Sequence, residues 1–365
     1  MSEVIEKQAA GKGGIPLWVQ KIAWPLLALV LMLVVVTVNV DGFLSVNWVE
    51  TRDGWKLAGN PASILLNATQ VALLATGMCL VIATGGIDLS VGAIMAITGA
   101  VTVEAINADV PAVIAIAMGL GAAMLCGVWN GVLVAVLGIQ PIVATLVLMV
   151  AGRGVAQLIT DGQIPNFDNG TLEFLGQGTI FGLPFPPFLA IGVFAATWIA
   201  VRYTSIGLMI ETVGDNPITA RYVGIPVALV TLLTYVFSGI CAGLAGLVAA
   251  ALIQSADANN AGLYMELDAI FAVVVGGTAL IGGRFYLGGA IIGALLLQTL
   301  TTAITALEVP SQLLPLPKAI AIVAVILLQS PVLHGHVTRA RKRWSRRAGQ
   351  HTNQSPVGAA GESGQ

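Results

Sequence analysis

Charge is what this sequence is shortest of. Only 9% of its 365 residues are Asp, Glu, Lys or Arg, while 57% are hydrophobic. A soluble domain carries about a quarter charged residues because its surface must face water. Too few charges are present here to cover such a surface, so most of the exterior faces lipid. Cysteine and histidine are as scarce. Cys79, Cys126 and Cys241 lie inside apolar runs with no metal or redox spacing and read as small packing residues. His334, His336 and His351 sit at or past the end of the last apolar run, and a tail pair without further ligands makes no metal site. Neither a GxxxxGK(S/T) phosphate loop nor a GxSxG elbow occurs, so the chain has no seat of its own for ATP hydrolysis or acyl transfer. No catalytic role, cofactor or metal is expected. A net charge of −2 offers nothing to nucleic acid.

What fills the chain instead is long apolar runs. A membrane helix needs about 20 largely apolar residues. Windows of that kind fall at 22–40, 64–83, 89–107, 111–137, 141–160, 186–201, 226–253, 268–282, 288–306 and 317–333. The expected fold is therefore all-α and polytopic, with about ten transmembrane helices. The first run is too long for a signal-peptide core and no small-residue cleavage site follows it, so it reads as an uncleaved span. Glycine is abundant, at 43 residues, and Gly127–Gly131, Gly239–Gly243 and Gly289–Gly293 repeat it at small-xxx-small spacing. In lipid that spacing lets helix backbones approach closely. Gly-rich, Asp-led segments at 85–100 and 266–283 raise a duplicated architecture, which their spacing leaves open.

Basic residues set the orientation. Lys7, Lys12, Lys21, Arg202, Arg221 and Arg284 fall on one side of such a bundle, with the block Arg339, Arg341, Lys342, Arg343, Arg346 and Arg347. Loop 161–185 carries Asp161, Asp168 and Glu173, loop 254–267 carries Asp257 and Glu266, and neither holds Lys or Arg. Arg52 and Lys56 dissent, beside Asp41, Glu50 and Asp53. An even span count puts both termini in the cytoplasm. The expected layout is a cytoplasmic segment 1–21, a membrane domain 22–333 and a basic, disordered cytoplasmic tail 334–365 anchored near the lipid surface.

Polar groups inside spans point to function by default. Glu104, Asn130, Arg153 and Gln298 qualify. Arg153 at that depth needs either a carboxylate on a neighbouring span or contact with the transported molecule. In Gly85-Gly86-Ile87-Asp88, the glycines break a helix and Asp88 is placed to cap the next one. The other reading is a broken helix lining a translocation path. Asp257, Asn259 and Asn260, with Glu266 and Asp268, form a polar cluster before a span. It is either a gate or docking surface, or a set of acids complementing a helix N-terminus.

The segment Glu211 to Ile225 is polar, of short-helix length, and on the basic side. Gly214 and Gly224 bracket it, Asn216 is placed to cap it and Pro217 to open it. A short helix there suits force transfer from a soluble motor. The strings ATGGIDLSVGAIMAITGA, GDNPITARYVGI and ELDAIFAVVVGGTALIGGRF resemble the ribose/galactose-type sugar permeases of bacterial ABC importers. The similarity runs from about residue 60 to about 330. VATLVLMVAGRGVAQLIT and SADANNAGLYMELDAI are most similar to the galactofuranose branch of that family.

The resemblance implies an inner-membrane permease of the ABC importer fold that pairs with a second permease, like or unlike. It also implies a partner ATP-binding cassette subunit, and a periplasmic sugar-binding protein outside. The family's coupling segment maps onto Gly214, Asn216, Ala220 and Gly224, to which Glu211 and Arg221 are added here. The candidate path residues are Asp88, Asn130, Arg153, Asp257, Asn259, Asn260 and Asp268. An ion-coupled secondary sugar transporter is the rival reading and would use Asp88, Glu104 and Arg153.

Overall fold

The computed structural model describes residues 17–51 and 54–308, with isolated positions up to 323. The chain divides into two units, Met1–Lys318 and Ala319–Gln365, and the features below belong to the first. Nearly all of the expected span 317–333, and the whole tail 334–365, lie outside the described residues.

Among the described residues the chain forms twelve α-helices and two small hairpins. Helix α1 is Leu17–Asn39, followed by β1 (Asn47–Thr51) and β2 (Gly54–Ala58), then α2 (Asn60–Ala83), α3 (Val91–Asn107) and α4 (Ala112–Gly131). A wide helical turn at Val132–Val136 extends α4. There follow α5 (Pro141–Ile159), α6 (Gly170–Gln177), β3 (Thr179–Ile180), β4 (Leu183–Pro184) and α7 (Phe185–Tyr203). The last group is α8 (Ile206–Asp215), α9 (Pro217–Tyr222), α10 (Val227–Ile253), α11 (Met265–Val275) and α12 (Leu287–Ala306). Six helices are long and apolar enough to cross a membrane: α2, α4 with its extension, α5, α7, α10 and α12. Ala23–Asn39, within α1, and α3 are shorter apolar stretches.

Helix α10 is the hub, packed on α2, α3 and α4. Glycines make these approaches. A Cβ on Gly127 would stand 2.6 Å from Tyr235 O, and one on Gly239 would stand 2.6 Å from Ala123 O. Backbone meeting backbone at such sites is the packing that the small-xxx-small spacing predicts. The trio α10, α3, α4 recurs as α2, α11, α12, with the same pairwise packing inside each trio. Helices α2 and α10 run antiparallel: Gly77 meets Ser238 and Cys241, while Asn67 and Gln70 face the stretch after Ala249. The two trios are therefore inverted with respect to each other, a duplication that sequence spacing left open.

Both trios contain a segment that turns back into the bundle. After α2 ends at Ala83, the chain climbs until Asp88 bonds Ser238, the residue beside Gly77. After α10 ends at Ile253, segment 254–264 returns along α3 until Gly262 lies against Gly92; a Cβ on Gly262 would be 2.6 Å from Gly92 O. The expectation of a simple surface loop at 254–267 is thus corrected: it is re-entrant. The expected span 268–282 is corrected too. Helix α11 has 11 residues, about 16 Å at the α-helical rise, and stops at Val275 because the chain starts within the bundle rather than at its edge.

Candidate functional site

The predicted site residues fall at one end of the bundle, in the α8–α9 elbow, and in or beside the two segments that turn back into it. The hairpins mark the opposite end. At the elbow, Asn216 Oδ1 accepts from Ile218 N and Thr219 N, each at 3.0 Å, and Pro217 occupies the first helical position. Gly224 closes α9 with φ +85°, and Ile225 N donates to Ala220 O at 3.0 Å, the pattern of a left-handed helix terminus. Ala220 is fully buried. Ile218, Tyr222 and Val223 are exposed, as are Arg221 and Asn216.

Gly214, in the last turn of α8, touches the bundle directly. A Cβ there would fall inside contact distance of Ala83 O and stand 2.5 Å from Gly283 N. Gly283 N itself donates to Ala83 O at 2.9 Å. The elbow, the end of α2 and the turn after Gly276 therefore meet at one point. Burial pushes the half-buried Glu211 carboxyl above its ordinary range, and Arg284 nearby draws it partly back.

From that junction the chain runs into the first re-entrant segment. Asp88 is fully buried. Its Oδ1 accepts from Ser90 N at 3.0 Å and Ser90 Oγ at 2.6 Å, and its Oδ2 accepts from Ser238 Oγ at 2.9 Å. Asn130 Nδ2 donates to Ser90 Oγ at 2.7 Å and reaches Asp88 Oδ1 at 3.4 Å. Thr145 Oγ1 on α5 accepts from Leu89 N at 3.2 Å and donates to Pro141 O of its own helix at 2.9 Å, with Ile87 O at 3.3 Å beside it. Asp88 therefore ties its own turn to α4 and α10, while Ser90, not Asp88, holds the cap position of α3.

The second re-entrant segment is held from behind by α5. Arg153 Nη1 donates to Ala258 O at 3.1 Å and Asn259 O at 2.8 Å, and Gln157 Nε2 donates to Asn259 Oδ1 at 2.7 Å. Two backbone carbonyls hold Nη1 of the guanidinium, where a carboxylate was one of the two partners expected, and the Asp257 and Glu266 carboxylates lie near enough to feel its charge. Within the segment, Asp257 Oδ1 accepts from Asn259 N and Asn260 N, both at 3.0 Å, and its Oδ2 from Asn260 Nδ2 at 2.8 Å. The front of the segment borders a cavity of about 420 Å³ lined by Asn67, Gln70, Ser255, Asp257 and Asn260 among apolar residues of α3 and α10.

The structure thus brings Asp257 and Asn260 together at the cavity, with Asn259 and Arg153 behind them, and places Asp88 with Asn130 apart at the other re-entrant turn. Asp268 joins neither; its Oδ2 pairs with Lys318 Nζ at 3.0 Å. Glu104 and Gln298 are half-buried, and their side chains make no hydrogen bond among the described residues. Ser90, Thr145, Ser238, Gln157, Asn67 and Gln70 were missed. Single hydroxyls and amides inside apolar runs carry no pattern until the partner helix is known. Cys79 and Cys241 are buried and Cys126 is half-buried, all as free thiols. No group of metal-ligating side chains occurs among the described residues.

A family model described as branched-chain amino acid transport system / permease component matches residues 60–329. The galactofuranose transporter permease protein YtfT of Escherichia coli (strain K12) is 46% identical over 85% of this chain and 92% of its own length. The ribose import permease protein RbsC of the same strain is 36% identical, covering 84% and 92%. The fructose import permease protein FruF of Bifidobacterium longum (strain NCC 2705) is 34% identical, covering 86% and 88%.

Proposed function

The chain belongs to the family of branched-chain amino acid transport system permease components, and from this premise we propose that it is the transmembrane permease of an ATP-driven sugar importer. It is a transport subunit and not an enzyme. The observation that carries the reading is the likeness, over more than four fifths of the chain, to permeases named for galactofuranose, ribose and fructose. Galactofuranose, the substrate named for the relative at 46% identity, is the sugar proposed first.

Geometry supports the division of labour. The elbow is a capped, protruding helix whose exposed Ile218, Tyr222 and Val223 form an apolar surface outside the spans, suited to the groove of an ATP-binding cassette subunit. Glu211, Gly214, Asn216, Ala220, Arg221 and Gly224 shape that contact. Motion reaching Gly214 passes to Ala83 and Gly283 and on to the turn held by Asp88 and Asn130. At the opposite end, the hairpins and the acidic loop 161–185 face a periplasmic sugar-binding protein.

The exposed apolar side of α5, with Leu146, Val147, Val150 and Leu158, faces lipid or the second permease. The orientation is that of an inner-membrane protein with about ten spans, both termini cytoplasmic and a basic tail 334–365. The rival ion-coupled reading needs a membrane carboxylate with exchangeable partners, whereas Asp88 is buried in a closed set of hydroxyl, amide and backbone donors.

The test is purification of the chain from its native membrane. An ATPase subunit co-purifies, and its activity in lipid rises when a sugar-loaded binding protein is added. A chain that purifies without an ATPase and imports sugar alone refutes the proposal.

A further inference from the structure

We propose that the cavity between α2, α3, α10 and the re-entrant segment 254–264 is a holding site for one neutral monosaccharide, recognised through Asn67, Gln70, Asp257 and Asn260. This rests on the sugar-importer reading above and adds the site and its selectivity.

Two amides mark the site. Asn67 and Gln70 lie seven and ten residues into α2, about 10 and 15 Å below its start at the helical rise, and both line the cavity. Neither makes a hydrogen bond to any described residue. Hydrocarbon offers an amide no partner, so polar side chains at this depth face a water-filled or ligand-filled space. One turn apart on a single helix, they present donors and acceptors side by side.

Opposite them, Asp257 and Asn260 are fixed by the bonds between them, with the backbone of the segment pinned from behind by Arg153. Asp257 Oδ2 accepts one hydrogen bond from the protein and keeps capacity for a second. A sugar ring, whose hydroxyls both donate and accept, matches a carboxylate and three amides on two facing walls. The apolar remainder of the lining, including Met95, Ala249 and Leu263, suits the C–H faces of the ring. A volume of about 420 Å³ lies within the roughly 300–1,000 Å³ of small-molecule sites.

Charge fixes the class. Asp257 is the one ionisable side chain in the lining, and no Lys, Arg or His accompanies it. A carboxylate or phosphate on the ligand would meet the Asp257 carboxylate in the lining, while the Arg153 guanidinium lies behind the segment, held by the carbonyls of Ala258 and Asn259. The site therefore takes neutral polyols and rejects sugar acids, sugar phosphates and amino acids.

The experiment uses the complete importer, with its ATPase and binding protein, in proteoliposomes. The probes are tritiated D-galactose, D-ribose and D-fructose, with D-galacturonate as the anion. Wild type is compared with the double variant Asn67→Leu/Gln70→Leu. The two amides make no hydrogen bond to any described residue, so leucine strands no partner group and the complex assembles with its Tm unchanged. Losing two ligand hydrogen bonds lowers kcat/KM for the imported sugar by roughly tenfold or more. Equal import by both proteins overturns the site. Import lost together with Tm and assembly overturns it as well, because the amides are then structural. Galacturonate imported as fast as galactose overturns the selectivity. A wild type that imports none of the three neutral sugars removes the sugar reading itself, and this proposal with it.

Discussion

Gly214→Ala is the smallest perturbation that separates the elbow from the bundle. The added methyl would sit 2.5 Å from Gly283 N and closer still to Ala83 O, against a contact optimum of roughly 3.5 Å for such atoms. One of the two sides must withdraw by well over an ångström, the approach to Ala83 O setting the distance. Both neighbours are buried backbone groups, joined by the 2.9 Å bond from Gly283 N to Ala83 O, so no side chain can swing aside to absorb the strain. Opening that bond without a new partner costs about 1–3 kcal/mol, roughly 5–150-fold in the balance between seated and unseated elbows. The expected result is a complex that still binds its partners but loses most of the ATPase stimulation caused by loaded binding protein. Gly192→Ala is the control, because nothing lies within 4 Å of its added Cβ. Wild-type stimulation in Gly214→Ala would show that this junction does not carry the coupling.

Three further outcomes follow from the same geometry. In a variant lacking native cysteines, Asn169→Cys is labelled from outside spheroplasts and Gly349→Cys is protected; the reverse pattern inverts the orientation. Asp88→Ala strands the Ser90 and Ser238 donors in a buried site, so it should lower stability by about 3 kcal/mol or more and cut uptake, read by thermal unfolding and transport, with Asp88→Asn milder. Because burial raises the folded-state pKa of Glu211, partly offset by Arg284, its contribution is most favourable below the ordinary carboxylate pKa and is lost as pH rises through the raised value. Glu211→Gln should therefore raise Tm at pH 7–8, by an amount that vanishes near pH 4; a constant difference across that range contradicts the shift.

The spans were legible wherever the apolar run was continuous: α2, α4, α5, α7, α10 and α12 each overlap a run in the sequence. The elbow was legible to the residue, because capping is local chemistry. Asn216, Pro217 and Gly224 each act within four residues of themselves. The re-entrant segments were not legible. Hydropathy records that a stretch is apolar but not at what depth it starts, so residues 268–282 read as a full crossing although α11 begins inside the bundle. The partners of Arg153 were hidden for another reason. They are carbonyls 105 and 106 residues away, and a backbone acceptor leaves no mark in a sequence. Asn67 and Gln70 fall within or beside an apolar run, where two amides look incidental until a cavity is seen in front of them.

An ATP-driven permease differs from an ion-coupled one in its energy source, and one measurement reads that source directly. Proteoliposomes containing the chain with its ATPase and binding protein are loaded with ATP or with a non-hydrolysable analogue, and uptake of labelled sugar is followed with and without a protonophore. An ATP-driven importer takes up sugar only with hydrolysable ATP and is unaffected by the protonophore. Uptake that proceeds with the analogue and collapses on adding the protonophore would contradict it.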